Sequence, residues 1–313
     1  MDNAPEPAQR PPTLPLDTHV VTRVPAQGTA GGDRPAGMVG VVVAAPEAAE
    51  PRYRVRFADG DAALLARRDL TIRKGVARQG LRDAGARAEG PPLDTYVILR
   101  CVVGSRAYGL DSPDSDTDRR GIYLPPADLH WSLAGVPEQL EHEATQECYW
   151  ELQKFLTLAL KANPNVLECL YTPLIEQATP LAQELLAMRD IFLSRLVYQT
   201  YNGYVLSQFK QIEIDLRSTG GIKWKHAMHL IRLLLSGIAV LRDGFVAVRL
   251  EEHRDRLLAI RRGETTWEAV DAWRLRLHGE FDATLGVTRL PDHPDYRRAD
   301  AFLRRARRSM VTA

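Results

Sequence analysis

The sequence predicts an α+β protein, with short strands in its first half and helices in its second half. Apolar β-branched and aromatic residues alternate with polar residues within residues 37–75, which is typical of short strands. Residues 94–178 mix strand-like and helical segments, and residues 179–313 repeat apolar residues at the helical period. We therefore expect a small N-terminal β-barrel module, a core of strands and helices, and a helical C-terminal domain.

The N-terminal arm is the first element. Residues 1–36 are rich in proline, alanine and glycine and offer little apolar surface to bury, so we expect them to be disordered. In the barrel module that follows, arginines alternate with an apolar series, Tyr53, Val55 and Phe57. A linker rich in glycine and proline is predicted next, over residues 76–93.

The core is predicted to begin with a continuous apolar strand from Tyr96 to Val103, as expected in the middle of a covered sheet. Gly121 to Leu124 form a second strand, which two prolines end, and Glu147 to Leu152 form a third. Beyond residue 180, helices are predicted at residues 181–216, 222–242, 251–262, 267–285 and 295–310.

The overall composition excludes several classes of protein. The 41 basic and 40 acidic residues give a net charge of +1, so the whole molecule does not attract nucleic acid. The cysteines have no paired spacing, which argues against a zinc site or a disulfide framework: Cys101, Cys148 and Cys169. No apolar run reaches the roughly 18 residues that span a bilayer, and the N-terminus lacks the apolar stretch of a signal peptide. We expect a cytoplasmic protein with no membrane partner.

A Gly-Ser corner follows the first core strand. Gly104 has no side chain, so its backbone can approach a phosphate group closely. Ser105 offers a hydroxyl, and the start of a predicted helix points free N–H groups at the same anion. Together these residues predict a phosphate-binding turn.

An Asp-x-Asp pair follows this corner after ten intervening residues. Asp116 and Asp118 are two apart on an extended segment, so their side chains project to one face with Cα atoms roughly 6.6 Å apart. Two carboxylates at this separation can bracket two Mg²⁺ or Mn²⁺ ions for in-line phosphoryl displacement. A solvated acidic turn is the alternative, but the Gly-Ser corner and the strand that follows favour the metal site.

Three segments resemble a known family: GSRAYGLDSPDSDTDRRGIYL, WELQKFLTLALKANPNVLECLYTP and KHAMHLIRLLLSG. They are similar to the RlaP-like predicted nucleotidyltransferases of the DNA polymerase β superfamily, over roughly residues 94–300. The resemblance implies a small mixed β-sheet with helices behind it and a helical C-terminal half. It also implies a nucleoside triphosphate donor, two Mg²⁺ ions and an RNA repair context.

The resemblance further implies a third carboxylate on a neighbouring strand. The family pattern has an aspartate shortly before the WELQKF segment, and this sequence offers Glu147 there, with Glu143 in reserve. We assign Glu147 as the base that takes the proton of the acceptor hydroxyl or as the last ligand of the catalytic metal.

Two groups of cations have alternative interpretations. Lys225, His229 and Arg232 share one stripe of a predicted helix, where they either hold the triphosphate or form an ordinary surface face. Arg119 and Arg120 either neutralise triphosphate charge or form salt bridges at the edge of a strand.

The leading hypothesis is an enzyme that transfers a nucleoside monophosphate from a nucleoside triphosphate to a hydroxyl. An RNA end is the acceptor that the resemblance favours. One alternative is a non-catalytic nucleic-acid-binding or regulatory protein on a transferase scaffold. Another is a protein AMP transferase of a toxin–antitoxin pair.

Overall fold

The computed structural model describes residues 14–29, 31–46, 50–73, 91–219 and 221–311. The chain divides into an N-terminal unit and a larger unit. Among the described residues, none of the helices combines the length and the apolar character needed to cross a lipid bilayer.

The N-terminal unit is built from short strands. They are β1 (His19–Thr22), β2 (Ala26–Gln27), β3 (Asp33–Arg34), β4 (Val39–Ala44), β5 (Tyr53–Phe57), β6 (Ala62–Leu65) and β7 (Leu70–Ile72). Five of them form an antiparallel sheet in the order β6-β5-β4-β1-β7, and β2 pairs with β3. Alternate residues of the long strands point inward, so Val42, Val55 and Phe57 form a small apolar core.

Two predictions for this unit are corrected. The arm predicted as disordered over residues 1–36 is ordered from Leu14 to Thr29, where β1 pairs with both β4 and β7 and Val20 is fully buried. Its short strand gains its apolar contacts from distant strands, which local composition does not show; residues 1–13 lie outside the described residues. Among the described residues the sheet is also open, with β6 and β7 at its edges, and does not close into the predicted barrel. Most of the predicted linker at residues 76–93 lies outside the described residues.

The larger unit contains a mixed five-stranded sheet in the order β10-β11-β9-β8-β12. Its strands are β8 (Val97–Val103), β9 (Asp118–Tyr123), β10 (Gln139–His142), β11 (Glu147–Glu151) and β12 (Ile175–Ala178). Strands β9 and β11 run parallel, and every other neighbouring pair is antiparallel. The mixed sheet that the family resemblance implied is therefore present.

Helices make up most of the rest of this unit. They are α1 (Gly104–Tyr108), α2 (Ala127–Trp131), α3 (Leu152–Leu160), α4 (Pro164–Tyr171), α5 (Pro180–Ala187), α6 (Leu196–Thr219), α7 (Trp224–Asp243), α8 (Arg254–Arg261), α9 (Trp267–Val287) and α10 (Tyr296–Ser309). The single helix predicted at residues 181–216 is two helices, because the chain makes a 3₁₀ turn at Arg189–Phe192 between α5 and α6. The predicted core and helical domain, residues 94–178 and 179–313, share one hydrophobic core.

The two faces of the mixed sheet have different surroundings. We call the face that carries Leu99, Ile122 and Trp150 the inner face, because these side chains belong to the main hydrophobic core. The opposite, outer face carries Tyr123 and Tyr149, which belong to a small separate cluster. Since side chains alternate along a strand, every residue of β9 and β11 can be assigned to one face.

Candidate active site

The Gly-Ser corner lies directly against Asp118. Strand β8 ends at Val103, which pairs with Asp118 at the start of β9. Gly104 has a φ of +68°, a conformation that disfavours side chains, and an added Cβ would lie 2.6 Å from Oδ2 of Asp118. The structure therefore brings Gly104 and Asp118 together, and only glycine permits this approach. Ser105 is half-buried beside them, at the second position of α1.

Asp116 lies on an exposed loop that Arg106 holds in place. The guanidinium of Arg106 donates from Nη2 to the backbone oxygen of Ser115 (2.6 Å) and from Nε to that of Asp116 (3.3 Å). Its Nη1 is 3.8 Å from Oδ2 of Asp111. Arg106 thus ties the segment just before Asp118 to α1, a role that the sequence did not suggest.

Arg120 shares the inner face with Asp118. Its Nη2 atom is 3.9 Å from Oδ1 of Asp118. Its Nη1 atom donates to the backbone oxygens of Arg119 (2.8 Å) and Gln146 (3.0 Å), so the guanidinium bridges β9 and the start of β11. Arg119 points to the outer face, where Nε donates to Oε2 of Glu176 at 2.8 Å. The two neighbouring arginines therefore have different environments.

The structure does not bring Glu147 to Asp118. Glu147 pairs with Arg119 and so projects from the outer face, where its Oε2 accepts from the hydroxyl of Tyr149 at 2.7 Å. Burial, followed by this bond to Glu147, raises the pKa of Tyr149 to about 12. The residue just before β11 is Gln146, and its backbone oxygen accepts from the amide of Arg119. The sequence alone does not show this register.

A cavity of about 210 Å³ lies beside the inner-face charges. Backbone and charged groups line one part of it, and aromatic and polar side chains line the rest: Val103, Gly104, Tyr108, Asp118, Arg120, Trp150, Asn165 and Glu168. The sequence patterns did not single out Tyr108, Trp150 or Asn165 for a site. Their only signal was membership of the segments that carry the family resemblance.

Glu168 forms a buried network with residues behind the cavity. Its Oε1 accepts from Nη1 of Arg232 at 2.5 Å, and its Oε2 accepts from the hydroxyl of Tyr108 at 2.7 Å. The guanidinium carbon of Arg232 lies 3.7 Å from the centre of the Tyr108 ring. Burial raises the pKa of Tyr108 well above its usual value, so this hydroxyl stays protonated and donates to the carboxylate.

The predicted cationic stripe of α7 is divided by this network. Arg232 is buried and committed to Glu168, whereas Lys225 is exposed. His229 lies edge-on to Tyr108, with ring centres 6.4 Å apart. Burial, together with the charges of Arg232 and Lys225, lowers the pKa of His229 to about 3, so it is neutral at pH 7. The three side chains do not present one cationic surface.

The carboxylates at the corner suit a hard cation. Among the described residues, no group of three or more histidine, cysteine, aspartate or glutamate side chains is arranged to hold a metal ion. Asp116 is exposed and Asp118 is partly exposed, so both carboxylates are accessible from solvent. Mg²⁺ is commonly bound in this way, by one or two carboxylates together with phosphate oxygens and water.

A comparison with known protein families matches the region of the chain that contains the Gly-Ser corner and the cavity. A family model, RlaP, described as an RNA repair pathway DNA polymerase beta family, matches residues 86–305. A stretch of 97 residues is 37% identical to the uncharacterized protein YcgL of Bacillus subtilis (strain 168). The matched stretch covers 30% of this chain and 37% of YcgL. No solved structure matches the chain.

Proposed function

Because this chain belongs to the RNA repair pathway DNA polymerase beta family, we propose that it is a metal-dependent nucleotidyltransferase. It transfers a nucleoside monophosphate from a nucleoside triphosphate to a hydroxyl group. The observation that carries the proposal is the contact between the backbone of Gly104 and the carboxylate of Asp118. This close approach supports the proposal, because an in-line phosphoryl transfer needs a phosphate-binding corner beside a metal-binding side chain.

Each part of the corner has a role in this reaction. The bare backbone of Gly104 lets a phosphate group come close, and the hydroxyl of Ser105 donates to its oxygens. Asp116 and Asp118 would hold Mg²⁺ or Mn²⁺, which supplies charge neutralisation for the phosphates. Arg106 fixes the loop that carries Asp116, so the two carboxylates keep their relative positions.

The acceptor is proposed to be the 3′-hydroxyl of an RNA end, in keeping with the description of the family. The hydroxyl oxygen forms a bond to the α-phosphorus while the bond from that phosphorus to the bridging oxygen breaks. Pyrophosphate leaves with the bonding electrons, and the hydroxyl proton passes to solvent. We propose that the aromatic and polar side chains of the 210 Å³ cavity contact the acceptor or the sugar of the donor.

The test uses the full chain, Mg²⁺, an RNA with a free 3′-hydroxyl and each of the four α-labelled nucleoside triphosphates in turn. We expect labelled RNA one nucleotide longer and an equal amount of pyrophosphate. Asp118→Asn should reduce the rate on the order of 10³-fold without unfolding the protein. Glu176→Gln, on the outer face, is the matched control and should keep the rate.

The other outcomes are equally informative. Label on protein rather than RNA would replace the proposed acceptor and favour a protein AMP transferase. If none of the four nucleotides gives pyrophosphate with RNA or with protein, the transferase proposal is wrong and a nucleic-acid-binding or regulatory role is favoured.

A further inference from the structure

The inner face holds an arginine where a second metal ion would need a carboxylate. We infer that the site binds one divalent cation and that Arg120 supplies the second positive charge. This inference rests on the proposed transferase function, because it concerns how that site neutralises phosphate charge.

The glutamates nearest to β9 on the outer face are not available to a metal at Asp118. Glu147 faces the outer side and accepts from Tyr149, and Glu176 binds Arg119 on the same side. A sheet is one residue layer thick, so a side chain on one face does not reach a ligand on the other without a change of register. In the register of this structure, neither carboxylate is directed at Asp118.

The inner-side glutamates are also unsuitable. Glu168 lines the cavity, but each of its oxygens accepts a hydrogen bond, and the buried Arg232 neutralises its charge. Glu141 lies on β10 and pairs with Cys148 of β11. The whole of β11 therefore lies between Glu141 and β9, the strand that carries Asp118. Gln146, the residue just before β11, carries a neutral amide and supplies no carboxylate.

Arg120 instead fills this place with a positive charge. Two backbone oxygens, on Arg119 and Gln146, hold its Nη1, and Nη2 lies 3.9 Å from Asp118 at the edge of the cavity. Guanidinium groups remain protonated at neutral pH and bind phosphate oxygens through two parallel N–H groups. Arg120 is therefore both fixed in position and able to contact a phosphoryl group.

The charges of the site favour a single ion. A second Mg²⁺ beside Asp118 would lie close to the guanidinium of Arg120, and like charges at such short distances repel strongly away from bulk water. One ion held by Asp116, Asp118 and phosphate oxygens avoids this repulsion. The guanidinium then stabilises the charge that develops on the phosphoryl group in the transition state.

The test counts Mn²⁺ bound to the full chain by electron paramagnetic resonance. The bound nucleotide is a triphosphate analogue in which a methylene group replaces the oxygen between the α and β phosphorus atoms. Its base is the one of the four that binds best. We expect one Mn²⁺ per retained nucleotide. In Arg120→Gln we expect turnover with the natural nucleotide to fall about 100-fold, while Mn²⁺ binds several-fold more tightly because a repelling charge is gone.

Opposite shifts in turnover and in metal affinity separate this role from a structural one, since general loss of structure would weaken both. Arg119→Gln is the matched control, because it removes the neighbouring arginine charge from the outer face, and it should leave the Mn²⁺ count and affinity unchanged. Two magnetically coupled Mn²⁺ ions in the unmodified chain, or weaker Mn²⁺ binding in Arg120→Gln, would overturn the inference. Failure of the transferase proposal looks different: Mn²⁺ binding would not depend on Asp118, and no nucleotide would release pyrophosphate.

Discussion

On the outer face of the core sheet, Arg119 lies against Glu176 and Glu147 against Tyr149, so these charges are engaged within the face itself. On the inner face, one residue further along β9, Arg120 is 3.9 Å from Asp118, and both side chains line a cavity. The two faces thus hold similar residue types in different surroundings. Charges that are bonded to each other hold a sheet edge, whereas charges that point into a cavity can bind a charged ligand.

The largest expected effect is on the free energy of unfolding and concerns the buried pair of Arg232 and Glu168 behind the cavity. Replacing Arg232 by methionine leaves Glu168 buried without its cation, and removal of one partner of a buried ion pair costs about 3–5 kcal/mol. The corresponding change on the outer face, Arg119→Met, breaks a partly exposed pair and should cost no more than about 1 kcal/mol. Urea unfolding of both variants measures the difference. Equal losses in the free energy of unfolding would show that the buried pair is no more important for stability than the partly exposed pair.

The next effect concerns the corner itself. Gly104→Ala places a Cβ 2.6 Å from Oδ2 of Asp118 at a positive φ, so the carboxylate has to move. A displacement of about 1 Å at a reacting centre can reduce turnover about 100-fold, and we expect a loss of that size in nucleotidyl transfer.

Gly203→Ala is the control for this change. Gly203 lies on an exposed side of α6, and an added Cβ there would meet nothing within 4 Å. Alanine also favours a helix by about 1 kcal/mol over glycine, so this variant should keep full activity and gain stability. If Gly104→Ala also kept full activity, close approach at the corner would not matter for the reaction.

The closeness of Gly104 and Asp118 is the part of the site that could be predicted from the sequence. Gly-Ser directly follows one strand and Asp-x-Asp leads into the next strand along the chain, so the local pattern is enough. The partner of Arg232 is Glu168, 64 residues away, and no local pattern indicates that pair. The face of Glu147 depends on how β11 pairs with β9, and a shift of one residue would reverse it.

The fold shows the same division. The helices α7 and α9 follow long runs at the helical period, and the structure begins and ends them within two residues of the predicted bounds. Strand β1 has only four residues in a proline-rich region, and its place between β4 and β7 depends on partners far along the chain. Local periodicity is sufficient to predict α7 and α9, and it carries no information about the pairing of β1.

A smaller effect is expected from the loop that carries Asp116. Arg106→Lys keeps the charge but loses the planar set of donors that reaches Ser115 and Asp116 together. We expect a loss of about tenfold at low Mg²⁺ that is largely recovered at high Mg²⁺, because a looser loop binds the ion less tightly. Turnover measured against Mg²⁺ concentration checks this. Arg304→Lys, which alters an exposed arginine paired with Asp300 on α10, should leave the curve unchanged.

The smallest expected effect concerns Glu147. It distinguishes the catalytic role predicted from the sequence from the outer-face position that the structure shows. As a general base, Glu147 would make Glu147→Gln lose activity about 10²- to 10⁴-fold. Its position on the outer face predicts a far smaller loss, because the side chain does not reach the cavity. An independent measurement comes from Tyr149, whose pKa of about 12 is raised by burial and then by its bond to Glu147. In Glu147→Gln, an ultraviolet titration should show this pKa moving down toward its ordinary value. A large loss of activity with an unchanged tyrosine titration would instead mean that Glu147 turns toward Asp118 when nucleotide binds.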